Sequence, residues 1–295
     1  MSIDGQTQLV GVIGWPVAHS LSPAMHNAAF SYASLNWRYF PLPVRSEHLG
    51  EAIKGLSALG FRGINVTVPH KVDVIPYMDS ITEAVTIVGA VNTVRVDRNT
   101  GRLEGLNTDM GGFLTDLAAN RIGIGKDSRI VVLGAGGAAR AVCAGLVRSG
   151  AQVTVVNRTF ERAQSIVAFM KSSWTHENIE AVPLDSLASV ARTATLIVNT
   201  TSLGLWPDAD ATPWPAAVPF PAGATVYDTV YRPLKTRLMR EAEAAGLRTV
   251  GGIGMLVYQG AAAYEVWTGR KAPTDVMRLF CLQALGEGPV PTNDT

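Results

Sequence analysis

The chain has 295 residues, enough for two ordinary domains, and it is 47% hydrophobic against 17% charged. That composition supplies sizeable cores and excludes an intrinsically disordered protein. A formal net charge of +1 also excludes the broad basic footprint of a nucleic-acid binder or of a protein drawn to an acidic membrane.

No basic stretch leads into an apolar one between Met1 and Val10, so the sequence predicts no secretion signal. Strand and helix patterns then alternate. Leu9 to Gly14 reads as a buried strand, and Ser22-Pro23 opens a helix through Tyr32, with serine at the cap and proline at the first helical position. Tyr39 to Val44 is a second strand, Leu49 to Leu59 a helix ended by Gly60, and Gly63 to Val68 a third strand stopped by Pro69. This alternation predicts an α/β architecture with a mainly parallel sheet.

A second alternating unit starts at Arg129. Ile130 to Leu133 is a strand and Ala138 to Ser149 a helix; Val153 to Val156 and Thr159 to Lys171 repeat the pair. The segment Ile130 to Val147 contains Arg140 and four glycines, which suits a strand-turn-helix and not a membrane span. Further strands are expected at Leu196–Asn199 and Thr225–Asp228, and helices at Leu234–Ala245 and from Met255 onward. Leu205 to Gly223 holds five prolines and two tryptophans, the composition of a loop that covers something. The tail after Gly286, with Pro289, Pro291, Asn293 and Asp294, is expected to lack structure. Cys143 and Cys281 have neither metal nor redox spacing and read as small buried hydrophobes in a reducing cytoplasm.

The first predicted strand of the second unit runs directly into Gly134-Ala135-Gly136-Gly137-Ala138-Ala139. This is a dinucleotide fingerprint in its strand-turn-helix setting: a glycine for the tight turn, a second for backbone approach to pyrophosphate, and a small residue for close helix packing. The helix start adds amide donors and a positive dipole end. Binders of NAD carry an acid about 20 residues further on. Here Asn157-Arg158-Thr159 ends the next strand, with Arg162 one turn later. Guanidinium groups at that place suit the 2′-phosphate of NADP(H); the plainer alternative makes them solvated helix-start charges.

Ser20 and Ser22 flank the first helix start, where hydroxyls and free amides can hold a carboxylate, although Ser22 could serve only as an N-cap. In Asn65-Val66-Thr67-Val68-Pro69-His70-Lys71, strand alternation puts Asn65 and Thr67 on one face, and Lys71 lies in the loop beyond. Gly89-Ala90-Val91-Asn92-Thr93 and Gly105-Leu106-Asn107-Thr108-Asp109 follow. Taken singly, such a lysine is a surface charge and each Asn-Thr pair a turn. His19, His26 and His70 are not at ligand spacing, so no metal is expected.

Taken together and in order, these motifs resemble the shikimate dehydrogenase family of aromatic amino-acid (chorismate) biosynthesis. The resemblance extends through Asn199-Thr200-Thr201-Ser202, Tyr227-Asp228-Thr229-Val230-Tyr231-Arg232-Pro233, Gly254-Met255-Leu256-Val257-Tyr258-Gln259-Gly260 and Trp267-Thr268-Gly269. The chain departs from many relatives at Leu205-Trp206 and in the proline-rich segment that follows.

The resemblance implies Lys71 and Asp109 as the catalytic pair, and Ser20 and Ser22 as holders of the substrate carboxylate. Asn65, Thr67, Asn92, Asp109, Tyr231 and Gln259 would then hold ring hydroxyls. For NADP(H), it implies the loop Gly134, Ala135, Gly136, Gly137 and Ala138, with Asn157, Arg158, Thr159 and Arg162 at the adenosine phosphate. Thr200, Thr201 and Ser202 also join the cofactor site, with Gly252 and Met255 near the nicotinamide.

The expected architecture is a mainly parallel α/β substrate domain, residues 1–112 and 252–295, and a Rossmann-type NADP-binding domain, residues 113–251. The expected partners are a small-molecule substrate, shikimate or 3-dehydroshikimate, with no nucleic acid and no membrane, in a monomer or homodimer. Two alternatives carry different tests. A quinate/shikimate dehydrogenase often favours NAD, which Asn157-Arg158-Thr159 opposes; a non-catalytic NADPH-binding sensor has no use for both Lys71 and Asp109.

Overall fold

The computed structural model describes residues 3–173 and 178–286; the tail beyond Gly286 lies outside the described residues. In chain order the elements are β1 (Gln8–Gly14), α1 (Ser22–Tyr32), β2 (Trp37–Pro43), α2 (Leu49–Ala58), β3 (Phe61–Val66), β4 (Ser80–Ile81), α3 (Glu83–Val88), β5 (Thr93–Val96), β6 (Leu103–Leu106) and α4 (Asp109–Ala119). They continue with β7 (Arg129–Leu133), α5 (Gly137–Arg148), β8 (Gln152–Asn157), α6 (Phe160–Ser173), β9 (Ile179–Pro183), α7 (Leu187–Ala191) and β10 (Leu196–Asn199). Last come β11 (Thr225–Asp228), α8 (Arg237–Ala244), β12 (Arg248–Gly251), α9 (Ile253–Thr268) and α10 (Thr274–Ala284). They fall into two compact units, Met1–Thr82 with Val91–Thr108 and Leu256–Thr295, and Glu83–Ala90 with Asp109–Met255.

The first unit is built on a six-stranded sheet in the order β2-β1-β3-β5-β6-β4. β1 pairs in parallel with β2 and β3, and β4 with β6, whereas β3–β5 and β5–β6 are antiparallel. The antiparallel pair β5–β6 follows from its connection. Asp97 Oδ1 accepts from the Asn99 and Thr100 amides at 3.0 and 2.8 Å, and this tight turn reverses the chain where a parallel pair would need a long crossover. One helix start differs from the sequence reading. Leu21 occupies the cap of α1 and no side chain caps it, so Ser22 is the first helical residue and its hydroxyl is not the cap.

The second unit carries an all-parallel sheet in the order β12-β11-β10-β7-β8-β9. The chain starts at β7, winds outward to β9, then returns to β10 and winds the other way. This is the doubly wound Rossmann order, whose strand order reverses at the carboxyl end of β7. One face buries Ile130, Val132, Val153, Val155 and Val198 with Ala141 and Cys143. The opposite face buries Leu133, Ile197 and Val226 with Leu187, Leu238 and Trp214. Trp214 comes from the proline-rich segment; it stacks on Phe220 at 4.8 Å and its Nε1 donates to the Val218 carbonyl at 2.8 Å. That segment is irregular but serves as a cover for the sheet, in the place where a helix would do the same work.

Candidate active site

In the first unit the candidate substrate residues gather at the carboxyl ends of β1 and β3. Beyond β1, the Ser20 hydroxyl accepts from the Ser22 amide at 3.3 Å, and Ser22 is buried. The two strands stay together past their ends: the Thr67 amide donates to the Ile13 carbonyl at 2.9 Å, and the Trp15 amide to the Val68 carbonyl at 3.0 Å. Beyond β3, the Lys71 carbonyl accepts from the Val91 amide at 2.7 Å. Lys71 is thereby tied by its main chain to the residue that precedes Asn92.

Asn65, Asn92 and Gln259, separated in sequence, join one hydrogen-bonded network. Asn65 Nδ2 donates to the Asn92 carbonyl at 3.2 Å and to Thr93 Oγ1 at 3.1 Å. Asn92 Nδ2 donates to Thr108 Oγ1 at 2.9 Å and to Gln259 Oε1 at 3.3 Å, while Asn92 Oδ1 accepts from the Thr108 amide at 2.8 Å. Gln259 Nε2 donates to the Leu256 carbonyl at 2.8 Å. Asn65, Asn92, Thr93 and Thr108 are all buried, so each amide is held in one orientation by partners that would otherwise be orphaned. Thr93 and Thr108 are absent from the sequence-based site, although each stands beside a residue in it. Their signal was the Asn-Thr repeat itself, which as a bare dipeptide reads as a turn. Asp109 follows Thr108 directly, is buried, and opens α4.

The second unit places the glycine loop at the switch point beyond β7. Gly134 adopts φ +110°, and a Cβ there would meet Thr200 Oγ1 at 2.6 Å, so both backbone angle and space demand glycine. Gly136 caps α5 with extended backbone, no side chain caps that helix, and its first turn has no acid. Amides with no internal partner at an uncapped helix start suit an anion, and the space above Gly136 is open. Ala135, Gly137 and Ala138 lie beside it, each at least partly exposed. At the end of β8, Asn157 Nδ2 donates to the Thr159 carbonyl at 2.8 Å. Arg158, Thr159 and Arg162 are exposed. These donors fit a phosphorylated adenosine.

The loop beyond β10 is fixed from below. Thr200 Oγ1 donates to the Leu133 carbonyl at 2.7 Å, and the Thr201 amide and hydroxyl donate to Asn199 Oδ1 at 2.9 and 2.8 Å; Ser202 is exposed at the tip. Asn199 in turn donates to Asp228 Oδ1 at 2.8 Å. Asp228 also accepts from the Val230 amide at 3.0 Å and from Thr236 Oγ1 at 2.7 Å. Burial pushes its carboxyl up to about 6, against the lowering pull of those three donors. Asn199 and Asp228 thus tie the Thr200–Ser202 loop to the segment that carries Tyr231; sequence reading assigned neither a task. Gly252 donates its amide to the Val230 carbonyl at 3.2 Å, and Met255 is buried in the sheet core.

Models of three families match the chain: the shikimate dehydrogenase substrate binding domain over residues 12–94, shikimate / quinate 5-dehydrogenase over 116–204, and the shikimate 5′-dehydrogenase C-terminal domain over 252–278. The NADP(+) shikimate dehydrogenase of Symbiobacterium thermophilum is 46% identical over 289 residues, 97% of either chain. The chain belongs to the shikimate dehydrogenase family. The family's shikimate 5-dehydrogenase from Thermus thermophilus, solved with NADP(H) and shikimate, is 40% identical with a TM-score of 0.83, over 95% of this chain and 100% of that one. Quinate dehydrogenase from Corynebacterium glutamicum, solved with NAD, is 31% identical with a TM-score of 0.85, over 94% and 99%. The fold is thus common to shikimate and quinate enzymes, and ligand choice within it falls to individual side chains. Among the described residues no helix is long and apolar enough to cross a membrane.

Proposed function

We propose that the reaction of this enzyme, the reversible NADPH-dependent reduction of 3-dehydroshikimate to shikimate in aromatic amino-acid biosynthesis, runs on Lys71 and Asp109. NADPH, when bound, supplies the hydride. The residues of the chain do the rest. The Lys71 ammonium delivers a proton to the ring oxygen as negative charge develops there, and its own charge stabilises that oxygen. Asp109 accepts from a ring hydroxyl and orients the lysine through an ion-paired hydrogen bond. Ser20 and Ser22 hold the carboxylate at the start of α1, and Asn65, Thr67, Asn92, Tyr231 and Gln259 take the hydroxyls. The glycine loop, Thr200, Thr201 and Ser202, Gly252 and Met255 line the cofactor, and Asn157, Arg158, Thr159 and Arg162 take its 2′-phosphate. In this reading residues 1–112 and 252–295 form the substrate-binding and catalytic domain and 113–251 the NADP-binding domain, with Tyr231, Gly252 and Met255 each serving the ligand of the other domain.

The single observation that supports this best is the Asn65–Thr93–Asn92–Gln259 network, buried except at Gln259 and linked through Val91 to the main chain of Lys71. Buried amides fixed in orientation suit a ligand with a definite pattern of hydroxyls, and a site built to pair hydroxyls rejects analogues that leave its groups unpaired. Steady-state rates with shikimate and quinate, each with NADP⁺ and NAD⁺, test it. Shikimate with NADP⁺ should give the highest kcat/KM; a preference for quinate or for NAD⁺ would overturn the substrate or the cofactor assignment respectively.

A further inference from the structure

Asn65 is supported from a direction that its own strand does not reveal. On the far side of β1, Tyr39 of β2 reaches across to donate its hydroxyl to Asn65 Oδ1 at 2.7 Å. The Asn65 amide is then accounted for: both of its hydrogens go to the Asn92 carbonyl and Thr93 Oγ1, and one of its oxygen lone pairs goes to Tyr39. An amide has two donors and two acceptor sites. One lone pair on Oδ1 remains, so toward a ligand Asn65 can accept and cannot donate.

Tyr39 is itself held in place on several sides. Its backbone pairs with Val10 of β1, and on the other edge the Asn27 side chain accepts from its amide and donates to its carbonyl, both at 2.9 Å. Its ring lies flat on His26, with centroids 4.4 Å apart and planes within 3°. His26 is fully buried with both ring nitrogens unpaired, and burial pushes it down to about 3, so it is a neutral plate at any working pH. Trp267 closes the cluster at 5.5 Å from His26 and donates to the Val94 carbonyl at 3.0 Å. It fits only because position 63 has no side chain: a Cβ on Gly63 would collide with Trp267 Nε1.

We infer that Tyr39 is a positioning residue for substrate recognition, its hydroxyl fixing Asn65 as a hydrogen-bond acceptor for one hydroxyl of the ring acid. This rests on the reading that Asn65 touches the substrate. Tyr39→Phe retains the stacked ring and removes the hydroxyl's bond to Asn65. Losing a bond of ordinary strength should raise KM for shikimate about two- to tenfold, with kcat and the NADP⁺ constant nearly unchanged.

The decisive experiment is a double-mutant cycle on that KM with Asn65→Ala, after a check that each variant melts cooperatively and binds NADPH. If Asn65→Ala does not fold, Asn65→Ser, which leaves a polar atom in the pocket, takes its place. The expected result is that Tyr39→Phe raises KM alone but adds nothing once Asn65 is replaced. An increase in KM for the Asn65 variant with no increase for Tyr39→Phe would overturn the positioning role and leave the Asn65 reading intact. Equal effects of Tyr39→Phe in both backgrounds, or a lowered melting temperature with unaltered KM, would reduce Tyr39 to a structural residue. An unchanged KM for the Asn65 variant itself would overturn both readings.

Discussion

The substrate-side network of the first unit presents side chains that hold one another, whereas the glycine loop and the end of β8 in the second present main-chain amides and exposed guanidinium groups. Asn65, Thr93, Asn92 and Thr108 are buried and mutually bonded, while the start of α5 is uncapped and Arg158 and Arg162 stand in solvent. Different ligand chemistry explains the difference. A ring with hydroxyls is distinguished by which oxygen donates and which accepts, and this needs polar groups fixed in advance. A pyrophosphate or a 2′-phosphate asks only for donors and positive charge, which a helix start and exposed arginines supply without a second layer. Substitutions in the first network should therefore be strongly coupled, and those at the phosphate end nearly additive.

The largest effect should come from Lys71. If its ammonium acts in the transition state, Lys71→Ala lowers kcat by about 10²–10⁴-fold with modest change in KM; a near-normal kcat in a folded variant that binds NADPH would remove it from the chemistry. Next is Arg158→Asp, which should weaken NADP⁺ roughly tenfold or more and spare NAD⁺. Equal use of both cofactors by the parent enzyme would break the contrast at its phosphate end. Ser22→Ala should raise the KM for shikimate about two- to tenfold. Because Leu21 and not Ser22 caps α1, its melting temperature should hardly move; a fall in stability with unaltered KM would return Ser22 to a structural role.

The smallest effect concerns pH. The Asp228 carboxyl is pushed up to about 6 from 3.8 by burial, so the folded protein holds this proton more tightly than the unfolded chain. Stability from this group is complete below about pH 4 and is lost as pH rises toward 6. The stability advantage of the parent over Asp228→Asn should shrink across that window in thermal melts. A constant difference would mean that the donors from Asn199, Val230 and Thr236 offset burial.

Legibility of the sequence follows the same division. β10 and β11 match their expected bounds because each is a short, almost wholly buried segment with a β-branched and apolar centre, and the glycine loop could be read because its task belongs to contiguous backbone. The sequence predicts no strand at β4, β5, β6, β9 or β12, and β4 is only two exposed residues long. β9 and β12 lie at sheet edges with partly exposed residues, where the apolar signal is weak. β5 and β6 had a usable cue in Asp97 and Gly101, the turn residues of their hairpin. The expected helix from Leu234 begins instead at Arg237, since Thr236 accepts from the Met239 amide and caps it. The Tyr39–Asn65 bond had no local cue at all: strand order alone brings positions 26 apart together.

The buried stack of Trp214 on Phe220 bears on how freely the chain can vary between Leu205 and Gly223. An irregular, proline-rich stretch looks like dispensable surface, open to shortening and to proteases. Trp214 is 3% exposed and lies in the same apolar cluster as Leu133, Ile197 and Val226. Excising the segment would strip one face of the sheet and leave strand side chains in water, with aggregation as the outcome. Tolerance should thus be uneven along it. Insertions near Asp208, which is exposed, should be tolerated best, whereas those between Trp214 and Phe220 should cost soluble yield.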